Sequence, residues 1–213
     1  MPTPPLAIVG TGGLGREVAS LAADAGREIA GFLDDDAGRI GTQVAGLPVI
    51  GSSTRFPDGL EVIVAVGNPR VRRAIIQRLR ERGAAFAGLV HPTAHVGPRV
   101  TIGVGTVVPA GCVITCDVSI GMHCVVGPRG VISHDCQLDD FVTIAPGVTL
   151  PGNTHMQNGS EVAIGATMRQ QLTIGRGAIL GMGAVLTRDL PDGRLWYGAP
   201  ARDVRAVEPW DKA

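Results

Sequence analysis

Aromatic side chains make up only 3% of the 213 residues, with one Tyr, two Trp and four Phe. Rings dominate many protein cores, so this core has to be packed from aliphatic side chains instead. Net charge is missing as well: 19 Lys and Arg balance 19 Asp and Glu. That balance argues against the basic surface that nucleic acid or an anionic membrane attracts, and against an acidic tail. No apolar run reaches the roughly 18 residues that a membrane helix needs. The opening "MPTPPL" has no basic segment followed by an apolar one, so no secretory leader is expected. Cys112, Cys116, Cys124 and Cys136 fit neither a disulfide framework nor a zinc pattern. A reducing cytoplasm is the simplest setting.

Glycine is abundant, at 31 residues, and it comes with order. Stepping by six from Val96 gives Ile102, Val108, Ile114, Ile120, Val126, Ile132, Leu138, Ile144, Leu150, Met156, Val162, Met168, Ile174, Leu180 and Leu186, every one aliphatic. Four residues further on in each hexad runs a second, smaller set that includes Cys112, Cys124 and Cys136. A helix of 3.6 residues per turn cannot return to one face every six residues. Short strands joined by tight turns can. Three hexads make one triangular coil, the aliphatic residue points inward, and the frequent next residue, as in Gly97, Gly103, Gly121, Gly127, Gly175 and Gly181, is expected to help the corner turn. The three cysteines then act as small hydrophobes. The repeat resembles the left-handed parallel β-helix of hexapeptide-repeat acyltransferases, and "YGAPARDVR" is similar to the segment that closes such helices. Sixteen hexads make about five coils, and the resemblance implies a homotrimer with acyl-CoA between neighbouring helices.

Before the repeat, "LAIVGTGGLGREVASLA" reads as a buried strand, a glycine turn and a helix. Gly10, Gly12 and Gly15 fit the spacing that lets backbone approach a phosphate at a helix N-terminus. A second strand, "EIAGFLDDD", ends in Asp34, Asp35 and Asp36, at the distance where an acidic residue can meet a ribose or base. A third, "EVIVAVGN", precedes the helix "PRVRRAIIQRLRERG". About 90 residues hold one mononucleotide-sized half, too little for a full dinucleotide fold. The expected fold class is therefore an α/β half-Rossmann domain over residues 1–90, followed over 91–213 by a left-handed parallel β-helix with a C-terminal tail.

This pairing of units resembles the sialic-acid and nucleotide-aminosugar acetyltransferases, among them the UDP-4-amino-sugar and GDP-perosamine N-acetyltransferases. The resemblance implies a nucleotide-linked amino sugar on the first unit, through Gly10, Gly12, Gly13, Leu14, Gly15, Asp34, Asp35, Gly67 and Asn68. Leu14 departs from the family, which often has His in that turn. Acetyl-CoA falls to the coil, through Thr143, Gly152, Ile164 and Met182; Thr143 stands where some relatives have a second His. In "GVISHDCQLDDF" the resemblance makes His134 a general base and Asp135 its partner. The chemistry is sensible by itself. An alkylamine must lose a proton to attack a thioester, and histidine exchanges protons near neutrality. Three hexads, one whole coil, separate His134 from Gly152, so the glycine should stack on the histidine. Arg129, within "GPRG", is a further candidate for sugar or phosphate.

Other readings compete. His91, His95, His123 and His155 are expected in surface or packing roles. The spacings among the five histidines match no zinc site on such a coil, and no metal is expected. A non-enzymatic binding protein would leave the His–Asp pair idle. Sugar O-acetylation would use the same base.

Overall fold

The structure, a computed structural model, describes residues 3–212. Strand β1 (Leu6–Val9) is wholly buried and runs into helix α1 (Gly13–Asp24). β2 (Ile29–Leu33) follows, then a hairpin of β3 (Gln43–Val44) and β4 (Leu47–Gly51), β5 (Glu61–Val64), helix α2 (Pro69–Glu81) and β6 (Ala85–Phe86). The sheet order is β3-β4-β2-β1-β5-β6, parallel except for the β3–β4 pairing. β1 is thus flanked by β2 and β5, and the chain reverses its direction of winding beside it. In open parallel sheets that point, beyond the carboxyl ends of the strands, is where ligands bind.

From Leu89 the chain winds into a parallel β-helix. The two-residue strands pair with their counterparts one coil on, as Val113 with Val131, Ile132 with Leu150 and Leu138 with Met156, and the ladder breaks once, between Thr149–Leu150 and Thr167–Met168. Three faces result. The first runs from Leu89–Val90 through Val107, Val125, Thr143, Glu161 and Ile179 to a closing hairpin, Arg194–Tyr197 with Arg202–Ala206. Apart from Val96, Ile102 and Met168, the aliphatic hexad residues are all buried, and Cys112, Cys124 and Cys136 lie among them. Burial pushes the Cys124 thiol up to about 12, so it stays neutral.

The corners turn in a way the sequence reading did not expect. Positive φ falls on every sixth residue from Arg99 to Gly183, among them Asp117, His123, Arg129, Asp135, Phe141, Asn153 and Gln171. These lie two places beyond the glycines expected to turn the corner, which keep ordinary φ. Those glycines serve close approach instead. A Cβ on Gly97 would overlap the Thr115 carbonyl of the next coil, and one on Gly127 would overlap Ala145 and Pro146.

The α/β unit packs on the first face through one buried cation. Arg72 lies 1% exposed. Its Nε donates to the His123 carbonyl at 2.9 Å, and one terminal nitrogen donates to Val66 and Gly67 at 2.7 and 2.8 Å. The other donates to the Phe141 carbonyl at 2.8 Å and to Thr143 Oγ1 at 2.9 Å. Desolvation lowers the guanidinium to about 10, so it remains charged, with Glu161 among the groups that favour the cation.

His123 sits in the same junction, 1% exposed, edge-on to Phe86 and stacked on Phe141 at 5.5 Å. Burial, then the charges of Arg80 and Arg72, push its imidazole down to about 4, and Arg80 donates to the neutral ring at 3.2 Å. Below the unfolded value near 6.5 the unfolded chain binds a proton that the folded chain refuses. This residue's contribution is therefore present above pH ~6.5 and lost as the pH falls towards ~4, on the order of 3 kcal/mol in all. Urea unfolding between pH 7 and 4 should show a steeper loss for the natural chain than for His123→Phe. Equal slopes would refute the assignment.

Candidate active site

His134 lies just beyond the strand Val131–Ile132, where the coil turns towards its third face. Both it and Asp135 project from the coil, with side chains 57% and 53% exposed. Asp135 is one of the positive-φ corner residues, and this conformation folds its carboxylate back towards the neighbouring ring: Oδ2 lies 2.7 Å from His134 Nδ1. An Nδ1–H donating there leaves Nε2 free to accept.

Gly152 lies one coil above. It is buried, and a Cβ on it would meet His134 Cε1 at 2.5 Å and Nε2 at 2.6 Å. The imidazole therefore rests on the bare Gly152 backbone. The carbonyl of His134 accepts from Asn153 N at 3.0 Å, and Asp135 N donates to Cys116 O at 3.3 Å, which ties this corner into the coil on both sides. A nucleophile's proton can be accepted here from outside by a base whose ring is held between Asp135 and the Gly152 backbone.

Other residues singled out from the sequence are distributed differently. Ile164 and Met182, on successive coils, are 57% and 64% exposed. They continue the corner of Ala110, Pro128 and Pro146. Arg129 lies exposed on that same corner, across a face from His134. Thr143 is turned into the domain junction, where its hydroxyl accepts from Arg72 and donates to the Gly67 carbonyl at 3.1 Å. That hydroxyl is already engaged.

The glycine turn divides by purpose. Gly10, at φ +104°, lets the chain leave β1, and a Cβ on Gly15 would overlap the Gly10 carbonyl, so Gly15 serves strand-to-helix packing. Gly12 and Gly13 open α1 with free space around them. Leu14 faces away, into a groove of about 180 Å³ between α1 and the coil that Val18, His91 and Pro109 also line.

A larger cavity of about 650 Å³ opens beyond the ends of β1, β2 and β5. Gly10, Asp34, Asp35 and Val66 line it with Val71, Ala74 and Arg78 of α2. Both acids are held. Asp34 accepts from the backbone N–H and hydroxyl of Thr11 and from Asp36 N; burial opposes these bonds, but they win and its carboxyl lies below the ordinary range. Asp35 accepts from Ser53 N and Oγ and from Arg78, at 2.8 to 2.9 Å. Asn68 caps α2 with its side-chain oxygen, accepting from Arg70 N and Val71 N. The sequence reading missed Arg78, the cation on the cavity wall, and also Arg72. Among the described residues, no group of three or more His, Cys, Asp and Glu could hold a metal, and no helix is long and apolar enough to cross a membrane.

A hexad-built β-helix carrying a half-Rossmann unit defines the class of hexapeptide-repeat acyltransferases. The comparisons narrow it. Residues 5–79 match the PglD N-terminal domain. The fold superposes with a TM-score of 0.87 on the acetyltransferase domain of PglB from Neisseria gonorrhoeae, solved also with acetyl coenzyme A; the two are 38% identical over 95% of this chain and 100% of that one. A histidine-to-alanine variant of GDP-perosamine N-acetyltransferase from Caulobacter crescentus, in complex with CoA and GDP-perosamine, matches at 31% identity and TM-score 0.87, over 94% and 97% of the chains. WeeI from Acinetobacter baumannii matches at 29% and 0.85, over 94% and 99%. Curated proteins give no match. The chain belongs to the PglD-like family of β-helical acetyltransferases, and it is an acetyltransferase.

Proposed function

We propose that the protein transfers acetyl from acetyl-CoA to the amine of a nucleotide-linked sugar, a 4-amino-4,6-dideoxyhexose destined for a surface glycan, with His134 as general base. The observation that carries this reading is the exposed imidazole held between Asp135 and the bare backbone of Gly152. The amine nitrogen attacks the thioester carbonyl while His134 Nε2 takes its proton. The tetrahedral intermediate then expels the CoA sulfur, which recovers that proton from the imidazolium. Asp135 stabilises the cation between the two steps. No acyl-enzyme is needed, because the thioester arrives activated.

In this reading the nucleotide occupies the cavity beside Asp34, Asp35 and Arg78, with its diphosphate towards Gly12 and Gly13. The pantetheine arm lies against Ile164 and Met182, whose exposed apolar side chains suit it, in a cytoplasmic homotrimer. Residues 1–90 hold the acceptor and 91–213 the coenzyme.

The test is thiol release from acetyl-CoA with UDP-, GDP- and dTDP-linked amino sugars. Turnover with one of them supports the reading; release only with a hydroxyl acceptor such as sialic acid replaces it with O-acetylation. Gly152→Ala probes the geometry at a backbone conformation that alanine accepts. The added methyl displaces the ring, and kcat should fall about 100-fold, within the range for a misplaced general base. Unchanged kcat would mean that the ring does not work from this position.

A further inference from the structure

The C-terminal tail has no task in the proposed acetyl transfer, although many contacts hold it in place. After the closing hairpin the chain does not end on the coil. Val207 N donates to the Gly193 carbonyl, and the next residues turn back along the coil to α2. There Arg70 donates to the carbonyls of Pro209, at 2.9 Å, and Glu208, and Arg73 donates to the Trp210 carbonyl at 2.7 Å. Both guanidinium groups also stand over the Trp210 ring, 5.5 and 5.0 Å from its centre.

The ring itself is 7% exposed. It packs 5.9 Å from the Phe141 ring and shares a core with Ile75, Ile76 and Leu79 of α2. The coil makes room for it: a Cβ on Gly159 would overlap the indole, and one on Gly177 would crowd its Cβ at 3.2 Å. Trp210 thus touches α2 and two coils at once. The opposite side of α2 forms a wall of the 650 Å³ cavity through Val71, Ala74 and Arg78.

We infer that the tail is a strap, with Trp210 as its buckle, and that it positions α2 so that the cavity has the width and the Arg78 placement needed to bind the nucleotide of the acceptor. Trp210 touches no substrate; it acts through the helix. The inference rests on the nucleotide reading of that cavity. Its physical basis is preorganisation. Without the indole α2 is held by Arg72, by the Arg78 and Arg80 contacts to Asp35 and His123 and by its apolar face, and it can rock; affinity falls by the fraction of time spent out of the binding orientation. If losing the indole leaves that orientation populated about one-tenth of the time, the apparent Kd rises roughly tenfold.

Calorimetric titration of the whole 213-residue chain with UDP, GDP and dTDP, and separately with acetyl-CoA, tests this in the natural sequence, Trp210→Ala and Trp210→Phe. The expected result is a nucleotide Kd raised about tenfold in Trp210→Ala and largely restored in Trp210→Phe, with the acetyl-CoA Kd unchanged in both. Hydrogen exchange in Trp210→Ala should quicken in α2 and not in the coils. Unchanged nucleotide binding in Trp210→Ala overturns the strap. So does parallel weakening of both ligands with faster exchange throughout, which marks general loss of structure. Failure of the natural chain to bind any of the three nucleotides overturns the cavity reading itself, and the strap's role with it. That outcome is seen before any variant is made.

Discussion

Replacing His134 by Ala should lower kcat by about 10²–10⁴, the usual contribution of a positioned general base, with little change in the KM of either substrate. The side chain projects outward and supports no core, so folding should be unaffected and the loss can be read as chemistry. Raising the pH supplies free amine without help, so the deficit should narrow in alkaline buffer. Asp135→Asn should cost less, because it leaves the base in place with its orientation loosened. Steady-state rates in both substrates across pH decide the matter. A variant that retains kcat would remove His134 from the mechanism and leave its stack on Gly152 as packing.

The second large effect is on stability. Arg72→Leu fills the same region with a side chain that donates nothing. The carbonyls of His123, Phe141 and Val66 then have no donor among the described residues. A buried acceptor left unpaired costs about 1–3 kcal/mol, so a total on the order of 4 kcal/mol is expected. For a chain of this length that corresponds to a fall in Tm of roughly 10 °C. Arg72→Lys keeps the charge but cannot reach both the Val66–Gly67 loop and the coil, and should recover only part of the loss. Thermal unfolding of the two variants beside the natural chain provides the check. A change under about 1 kcal/mol would mean that the junction rearranges to satisfy its own carbonyls.

The coil was legible because its demand repeats. Every hexad needs an aliphatic side chain at one place, and the requirement is chemical, so it shows in the letters from Val96 to Leu186. The positive-φ requirement repeats just as strictly and also marks the letters, since seven of its fifteen positions are Gly and three are Asp or Asn, but Arg99, His123, Arg129, Phe141 and Gln171 interrupt the column and it was not read. The corner at His134 and the stack on Gly152 followed from counting in whole coils. The β3–β4 hairpin was missed because β3 has only two residues, Pro48 interrupts the apolar run of β4, and the turn, Ala45–Gly46, is unobtrusive. Arg72 could have been found: it shares a helical face with Ile75, Ile76 and Leu79, and a charge on an apolar face signals a buried partner. It was hidden among the other arginines of that helix. Trp210, a lone ring in a short tail, carries no periodic signal at all.

From Leu89 to Leu186 the strands that pair do so at an interval of three hexads, and only the closing turn shortens it, Ile179 pairing with Leu195. Each coil advances the chain by one strand spacing, about 4.8 Å, so this half of the molecule is graduated like a ruler. The separation between the imidazole and any group higher on the same edge comes only in whole divisions. Insertions or deletions of a few residues would rotate every later side chain off its face, whereas a unit of three hexads would lengthen the scale by one mark. A change of length that keeps every later face in register therefore comes in whole coils.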